Sequence, residues 1–155
     1  MAISKQKRTS PCFAGLRPAS PKTSRIAAKA SIKQGTKCEV RLCRSLQKLG
    51  LKFESNVSSL PGRPDFVFHR QRVVVFADGD FWHGRNLANR IARLSRGHNG
   101  EYWIRKIRSN VARDRHVRRK LKMLGWRVIR VWESEINSDI DRVTTRIVEL
   151  VRTQF

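Results

Sequence analysis

The sequence predicts an α/β domain in which helices flank a central mixed β-sheet. Two segments, residues 36–49 and 101–124, repeat apolar side chains at helical spacing. The run at residues 73–76 is apolar on both faces, which is typical of a central strand covered by helices. The predicted order of elements is α-β-β-β-α-β-α, and this order corresponds to a layered sandwich.

The first 34 residues are predicted to form a basic, disordered arm ahead of the folded domain. They carry eight lysines and arginines and no acidic residue, and Pro11, Pro18 and Pro21 would break a helix. The arm could lie along DNA, or it could be a solubilising tail or a localisation signal. We therefore place the domain at residues 35–155.

Within the domain, the first helix is predicted to end at Gly50, which is a natural stop. Three strands follow, and a tight turn near Arg70 and Gln71 joins the last two. The predicted strands span residues 51–57, 65–68 and 72–77, and a rigid proline loop spans residues 61–64.

The second half of the domain is predicted to contain a long helix, another buried strand and a last helix. Residues 86–99 are basic and are predicted to be a loop or a weak helix. The long helix ends at Gly125, and the strand at residues 126–132 follows it. Asp139 or Asp141 opens the last helix.

The net charge of +22 is the strongest global signal. Subtracting the eight basic residues of the arm from 34 leaves 26 against 12 acidic residues, so the domain itself carries +14. Such a chain binds polyanions, because each neutralised phosphate releases counterions. A ribosomal-type RNA binder and a binder of anionic membranes are the alternatives, and charge alone does not indicate catalysis.

Composition also narrows the cellular setting. The sequence has no run of about 20 apolar residues and no signal-peptide core, so we expect a cytoplasmic protein without a membrane span. Its three cysteines include no CxxC pair. A disulfide framework and a cysteine zinc site are therefore not expected.

Two aspartates are predicted to lie near each other on the same face of the sheet. If the turn centres on Arg70 and Gln71, Asp65 lies opposite Phe76, and Asp78 shares their face because side chains alternate along a strand. Backbones at such diagonal positions lie roughly 7–8 Å apart, which leaves room for a cation between the carboxylates. A loop with an odd number of residues would reverse this alternation.

Carboxylates on a rigid strand beside a basic surface suit phosphodiester hydrolysis. The reaction places negative charge on phosphorus oxygens, and Mg²⁺ held by one or two carboxylates neutralises that charge and activates water. The alternative for Asp65 is an ordinary strand-start residue after a proline.

The loop after the apolar strand brings aromatic residues together with a histidine. Phe81 and Trp82 could belong to the core, but they lie between glycines on a basic protein, where aromatic rings can stack on bases or wedge between them. His83 could act as a general base, or it could be structural.

Several segments taken together resemble the very short patch repair endonucleases. The resemblance covers about residues 35–136, in order and with similar spacing. The segments that carry it are 60–67, 76–84, 101–107, 110–111, 113–115 and 124–133.

The resemblance implies a restriction-endonuclease-like fold of the PD-(D/E)xK type, a three-layer sandwich. It also implies nicking of double-stranded DNA beside T:G mismatches left by deamination of 5-methylcytosine. Mg²⁺ is the implied cofactor, and Mn²⁺ could substitute. The implied setting is a monomer at the bacterial nucleoid, with a cytosine methyltransferase as a functional partner.

The resemblance also implies site residues. It assigns a metal to Asp65 and to the backbone carbonyl of Ala77, and catalytic roles to His83 and Glu39. The implied wedges are Phe81, Trp82 and Trp103, the expected DNA contacts also include Arg63, Lys106, Asn110 and Arg113, and Asp114 is expected to support the site.

This chain departs from the family pattern at two places. Asp78 stands where the best-known members carry a second catalytic histidine; the acid could bind metal directly, and the activation of water could then differ. Those members also hold a structural zinc, whereas Gly84, Arg85, Asn86 and Ser134 offer no such ligands here. We therefore predict no zinc.

Two acidic residues have structural alternatives. Thr36 and Glu39 have the spacing of a capping box, in which Glu39 would bond back to the amide of Thr36. Asp114 lies between Arg113 and Arg115, where a solvated ion pair within the helix is the usual arrangement.

Two other functions remain open at this point. A restriction-type or mobile-element endonuclease of the same fold would cut matched DNA. A non-catalytic basic module would bind nucleic acid without cleaving it.

Overall fold

The computed structural model describes residues 35–97 and 99–153, so the predicted N-terminal arm lies outside the described residues. The chain folds into helices on both sides of one four-stranded sheet. In chain order the elements are α1 (Lys37–Lys48), β1 (Glu54–Ser55), β2 (Phe66–Phe68), β3 (Val73–Asp78), α2 (Leu87–Leu94), α3 (Gly100–Met123), β4 (Arg127–Trp132), α4 (Glu133–Ser138) and α5 (Ile140–Arg152).

The sheet is mixed, as predicted. Its strand order is β1-β2-β3-β4, with antiparallel pairing up to β3 and parallel pairing between β3 and β4. A parallel pair needs a long crossover connection, which α2 and α3 provide. The carboxyl ends of β3 and β4 consequently lie side by side, with Asp78 paired to Trp132.

The hairpin between β2 and β3 has the predicted register. Phe68 pairs with Val73 and Phe66 pairs with Val75 across the turn at residues 69–72. The ladder then changes at Asp65, whose N–H donates to the carbonyl of Val75 at 3.1 Å. The predicted pairing therefore holds for β2 and stops one residue before it reaches Phe76.

Apolar side chains fill the space on both faces of the sheet. On one face, α1, α4 and α5 pack against the phenylalanines of β2 and alternate valines of β3. On the other face, Val67, Val74 and Phe76 pack with Leu121 of α3 and with Trp126. Full burial of a side chain of this size contributes about 1.5–3 kcal/mol, so both layers hold the sheet in place.

The ends of the two long predicted helices are confirmed. The hydroxyl of Thr36 accepts from the N–H of Glu39 at 3.3 Å and caps α1, and Gly50 at φ +70° follows its last residues. Gly125 ends α3 in the same left-handed conformation, at φ +77°. Glycine adopts this conformation without a steric penalty, which is why it stops a helix.

Two elements differ from the sequence prediction. The strand expected at residues 51–57 is reduced to Glu54–Ser55, because Asn56 turns the chain at φ 56°. The basic stretch at residues 86–99, predicted to be a loop or a weak helix, contains the two-turn helix α2. Helix α4 was not predicted, because it is short and only Ile136 in it is buried. None of the described helices is long and apolar enough to cross a membrane.

Candidate active site

The candidate site lies where the carboxyl ends of β3 and β4 meet the residue before β2. The strand β3 supplies Ala77 and Asp78, and the loop after it supplies His83. Asp65 precedes β2, and α3 crosses behind the loop. Regular elements therefore hold the site on three sides.

The carboxylate of Asp65 is held at one oxygen and is destabilised by its surroundings. Its Oδ2 accepts from the N–H of Ala77 at 2.7 Å. The pKa of Asp65 is raised to about 7, mainly by burial and also by the charges of Glu39 and Asp78, against the lowering effects of the Ala77 N–H and of His83. The ionised form of Asp65 is therefore unfavourable in these surroundings, and a bound divalent cation would stabilise it. The oxygen donors present, a carboxylate and a strand-end carbonyl, match those that Mg²⁺ prefers.

The carboxylate of Asp78 is occupied by Arg130 of β4. Asp78 is 3% exposed, its Oδ1 accepts from Nη2 of Arg130 at 2.7 Å, and its Oδ2 accepts from Nε of the same guanidinium. Burial would lower the pKa of Arg130, but Asp78 and Asp114 together hold it above its usual range. That Asp78 binds a metal stays a prediction, and Arg130 holds both of its oxygens in this structure.

His83 is oriented by Asp114 of α3. Its Nδ1 lies 2.7 Å from Oδ2 of Asp114 and 3.4 Å from Oδ1 of Asp78. When Nδ1 carries the proton and donates it to the carboxylate, Nε2 is the nitrogen that can accept a proton. The arrangement of a base aligned by a buried carboxylate is one that proton-transfer catalysis requires.

The alternative of a solvated ion pair at Asp114 is wrong. Arg113 does lie 3.6 Å from Asp114, but Asp114 is only 9% exposed and also contacts Arg130 at 3.2 Å. Burial alone would raise the pKa of Asp114, whereas the hydrogen bond with His83 and the charge of Arg130 hold it below its ordinary value. Asp114 is therefore an ionised, buried partner of the histidine.

Glu39 takes part in capping and also acts on the site. It is buried, its Oε2 accepts from the N–H of Gly35 at 2.8 Å, and its Oε1 accepts from the hydroxyl of Thr36 at 2.8 Å. The backward bond thus reaches Gly35, not the Thr36 amide that the capping box predicted. The charge of Glu39 also raises the pKa of Asp65; a catalytic role for Glu39 stays a prediction.

The predicted wedge residues form one cluster at the mouth of the site. The ring centroids of Phe81 and Trp82 lie 4.8 Å apart, and Trp103 of α3 lies 6.1 Å from the former and 5.8 Å from the latter. Lys106 places its Nζ 5.2 Å from the ring centroid of Trp82 and 5.5 Å from that of Trp103. A half-buried aromatic surface bordered by cations suits a nucleic acid, which offers flat bases and phosphates.

The other predicted DNA contacts divide into two kinds. Asn110 donates its side-chain amide to the carbonyl of Trp82 at 3.1 Å, so it supports the loop from behind. Arg63 lies on an exposed turn before Asp65, and Arg113 is exposed on α3. Both arginines are placed on the surface, where phosphates could reach them.

A polar network, which we call the loop clip, ties the histidine loop to α4. It consists of Asp80, Arg85, Ser134 and Glu135. The hydroxyl of Ser134 donates to Asp80 at 3.1 Å and accepts from Arg85, which lies 3.6 Å from Asp80 and 4.0 Å from Glu135.

Among the described residues, no group of three histidine, cysteine or acidic side chains has the geometry of a metal site.

Sequence reasoning missed two residues that organise the site, Arg130 and Arg85. Arg130 is a charged residue in a strand that is otherwise mostly apolar, and that contrast is the one signal that pointed to it. Arg85 follows the loop glycine and carries no comparable signal in the sequence.

The sequence is similar to those of known DNA endonucleases and nicking enzymes. The sequence model of a family described as DNA mismatch endonuclease Vsr matches residues 20–89. The chain is 38% identical over 132 residues to the type II nicking enzyme V.NmeDIP of Neisseria meningitidis serogroup C, which is 85% of either protein. It is 33% identical over 132 residues to the type II nicking enzyme V.HpaIIP of Haemophilus parainfluenzae, covering 84% of this chain and 92% of the relative. It is 44% identical over 98 residues to the DNA mismatch endonuclease Vsr of Escherichia coli K12, covering 63% and 61%.

Proposed function

This chain belongs to the Vsr family of DNA endonucleases, and from that premise we propose that it nicks duplex DNA beside T:G mismatches. The observation that carries the proposal is the convergence of Asp65, the His83–Asp114 pair and the aromatic cluster at one edge of the sheet. Cleavage needs the first two, and opening a base stack needs the third. Membership of an endonuclease family removes the alternative of a non-catalytic binding module.

Asp65 and the backbone carbonyl of Ala77 would hold Mg²⁺, for which Mn²⁺ could substitute. The raised pKa of Asp65, at about 7, supports this assignment, because the carboxylate is in an environment that a cation would stabilise. Bound there, Mg²⁺ would neutralise charge on the phosphate and lower the pKa of water. We propose no role for zinc, since the loop clip already fixes the segment that a zinc site would hold.

His83 would act as the general base. Water attacks phosphorus, and Nε2 of His83 takes the proton from that water. The bond from phosphorus to one sugar oxygen breaks, and that oxygen leaves with the bonding electrons and takes a proton from solvent. Asp114 keeps the imidazole in the required tautomer through its 2.7 Å contact with Nδ1. Proton transfer by a positioned side chain contributes about 10²–10⁴ in rate.

Aromatic and basic residues would bind the duplex. Trp103, with Phe81 and Trp82 of the loop, would enter the base stack at the mismatch, where unstacking costs least. Lys106, Arg63 and Arg113 would contact phosphates. We further propose a restriction-endonuclease-like monomer that works in the cytoplasm alongside a cytosine methyltransferase.

The test is a panel of end-labelled duplexes, with a T:G mismatch or fully matched, incubated with and without Mg²⁺. We expect one nick, dependent on Mg²⁺, in the mismatched duplex, and no nicking by the Asp65→Ala variant, which should still bind DNA. Equal nicking by Asp65→Ala would refute the assigned site.

Cleavage of matched DNA is the second candidate. Two of the similar proteins are described as type II nicking enzymes, and Asp78 replaces the expected histidine. Preference for the matched duplex in the same panel would favour this candidate and reject the mismatch specificity.

A further inference from the structure

Arg130 organises two buried carboxylates of the site at once. Its guanidinium holds both oxygens of Asp78 and also lies 3.2 Å from Oδ2 of Asp114. The same nitrogen, Nη2, lies 3.4 Å from Nδ1 of His83. The Cζ of Arg130 is 5.2 Å from the ring centroid of Phe76, so the neighbouring strand β3 also holds this side chain.

A two-point contact between arginine and carboxylate is among the strongest polar contacts in proteins, and burial strengthens it. A cation that bound through Asp78 would have to displace this guanidinium and leave it buried beside the cation. Among the described residues, no guanidinium holds Asp65: its Oδ2 accepts from the N–H of Ala77. The two aspartates are therefore chemically different, although both lie at the same edge of the sheet.

Resting on the proposed function, we infer that Arg130 is a positioning residue and that Asp78 is its anchor, not a ligand of the cation. Asp65 is then the carboxylate that binds the cation. Arg130 joins Asp78 to Asp114, the carboxylate that aligns His83, and it supplies a fixed positive charge between two buried acids.

The first test is Mn²⁺ binding to the whole protein without DNA, measured by counting free Mn²⁺ with electron paramagnetic resonance. The informative variant is the double substitution Asp78→Asn with Arg130→Gln, because it removes both members of the buried pair, and His83 and Arg113 remain beside Asp114. We expect its Mn²⁺ affinity to stay within about twofold of the unmodified protein, while Asp65→Asn loses about tenfold or more. Circular dichroism confirms that each variant is folded.

Two further variants sharpen the result. Arg130→Gln alone frees the carboxylate of Asp78, so this variant should bind Mn²⁺ more tightly or bind a second ion. Adding Asp78→Asn should remove that gain. If the double variant loses Mn²⁺ binding to the same extent as Asp65→Asn, Asp78 is a ligand and the inference is wrong. Failure of the proposed function would be different: the unmodified protein would neither bind Mn²⁺ nor nick DNA.

The second test asks whether Arg130 positions the histidine. Arg130→Gln should lower the single-turnover nicking rate at saturating DNA and leave DNA affinity unchanged, and Arg130→Lys should restore part of the rate. A purely structural role predicts a loss of DNA affinity and of thermal stability in proportion to the loss of rate. Such parallel losses, without rescue by lysine, would overturn the positioning role.

Discussion

Replacing Asp65 by asparagine should stabilise the metal-free protein, and the gain should grow with pH. The pKa of Asp65 is raised to about 7 in the folded state, against 3.8 for the ordinary carboxyl. Because the pKa is higher in the folded state, the ionised carboxylate destabilises the fold. The free energy of unfolding is therefore highest below about pH 4 and falls as the pH rises towards about 7. Asparagine imitates the protonated acid, so the variant avoids this loss.

The magnitude follows from the pKa difference. One unit corresponds to about 1.4 kcal/mol, so the variant gains about 2 kcal/mol near pH 5 and about 4 kcal/mol above pH 7. The assay is urea unfolding in EDTA from about pH 4 to about pH 8. Asp141→Asn is the matched control, because Asp141 is exposed in the first turn of α5 and should change stability little.

Added Mg²⁺ should reverse the order. A ligand that binds only the folded state stabilises it by mass action, so Mg²⁺ should raise the stability of the unmodified protein and leave Asp65→Asn unchanged. A gap between the two proteins that does not grow with pH, or a variant less stable than the unmodified protein at every pH, would refute the reasoning about burial and charge.

Three other substitutions test the remaining geometry. Asp114→Asn should lower the nicking rate by about 10²–10⁴-fold with DNA affinity unchanged, because His83 loses its orientation. Single-turnover kinetics measure the rate and a binding isotherm measures the affinity. An unchanged rate would count against the proposed pairing of His83 with Asp114. Gly84→Ala should destabilise the fold by about 1–3 kcal/mol, because φ is +75° and the new Cβ would lie 2.6 Å from Val111; urea unfolding checks this, and wild-type stability would contradict it. Trp103→Ala should weaken binding to a T:G duplex by about 1–3 kcal/mol more than binding to a matched one; equal losses in a titration would argue against insertion.

The sequence was sufficient to predict the hairpin beneath the site, because local rules set its register. An apolar strand with one buried face and one tight turn leaves a single alignment, and Phe66 indeed pairs with Val75. The prediction stopped at Asp65 for a local reason as well. Pro64 has no N–H to continue the ladder, and the N–H of Asp65 bonds instead to the carbonyl of Val75.

The charge network could not be predicted in the same way. Arg130 lies 52 residues from Asp78, and Asp114 lies 31 residues from His83. The parallel register between β3 and β4 brings the first pair together, and a crossover of two helices sets that register without any turn to fix it. The alternation of side chains along a strand predicts that an arginine there faces solvent. Its burial against an acid therefore follows only from the tertiary structure.

The loop clip fastens the histidine loop to α4 through polar and charged side chains. Its two loop members, Asp80 and Arg85, flank the segment that carries the aromatic residues and His83, and both bond to Ser134 at the start of α4. A segment fixed at both ends to one rigid helix loses most of its freedom before DNA binds, which is what a structural metal would otherwise achieve. Because the clip uses opposite charges that are about one-third exposed, salt screens it. Loop order should therefore weaken with ionic strength, independently of the salt dependence of DNA binding.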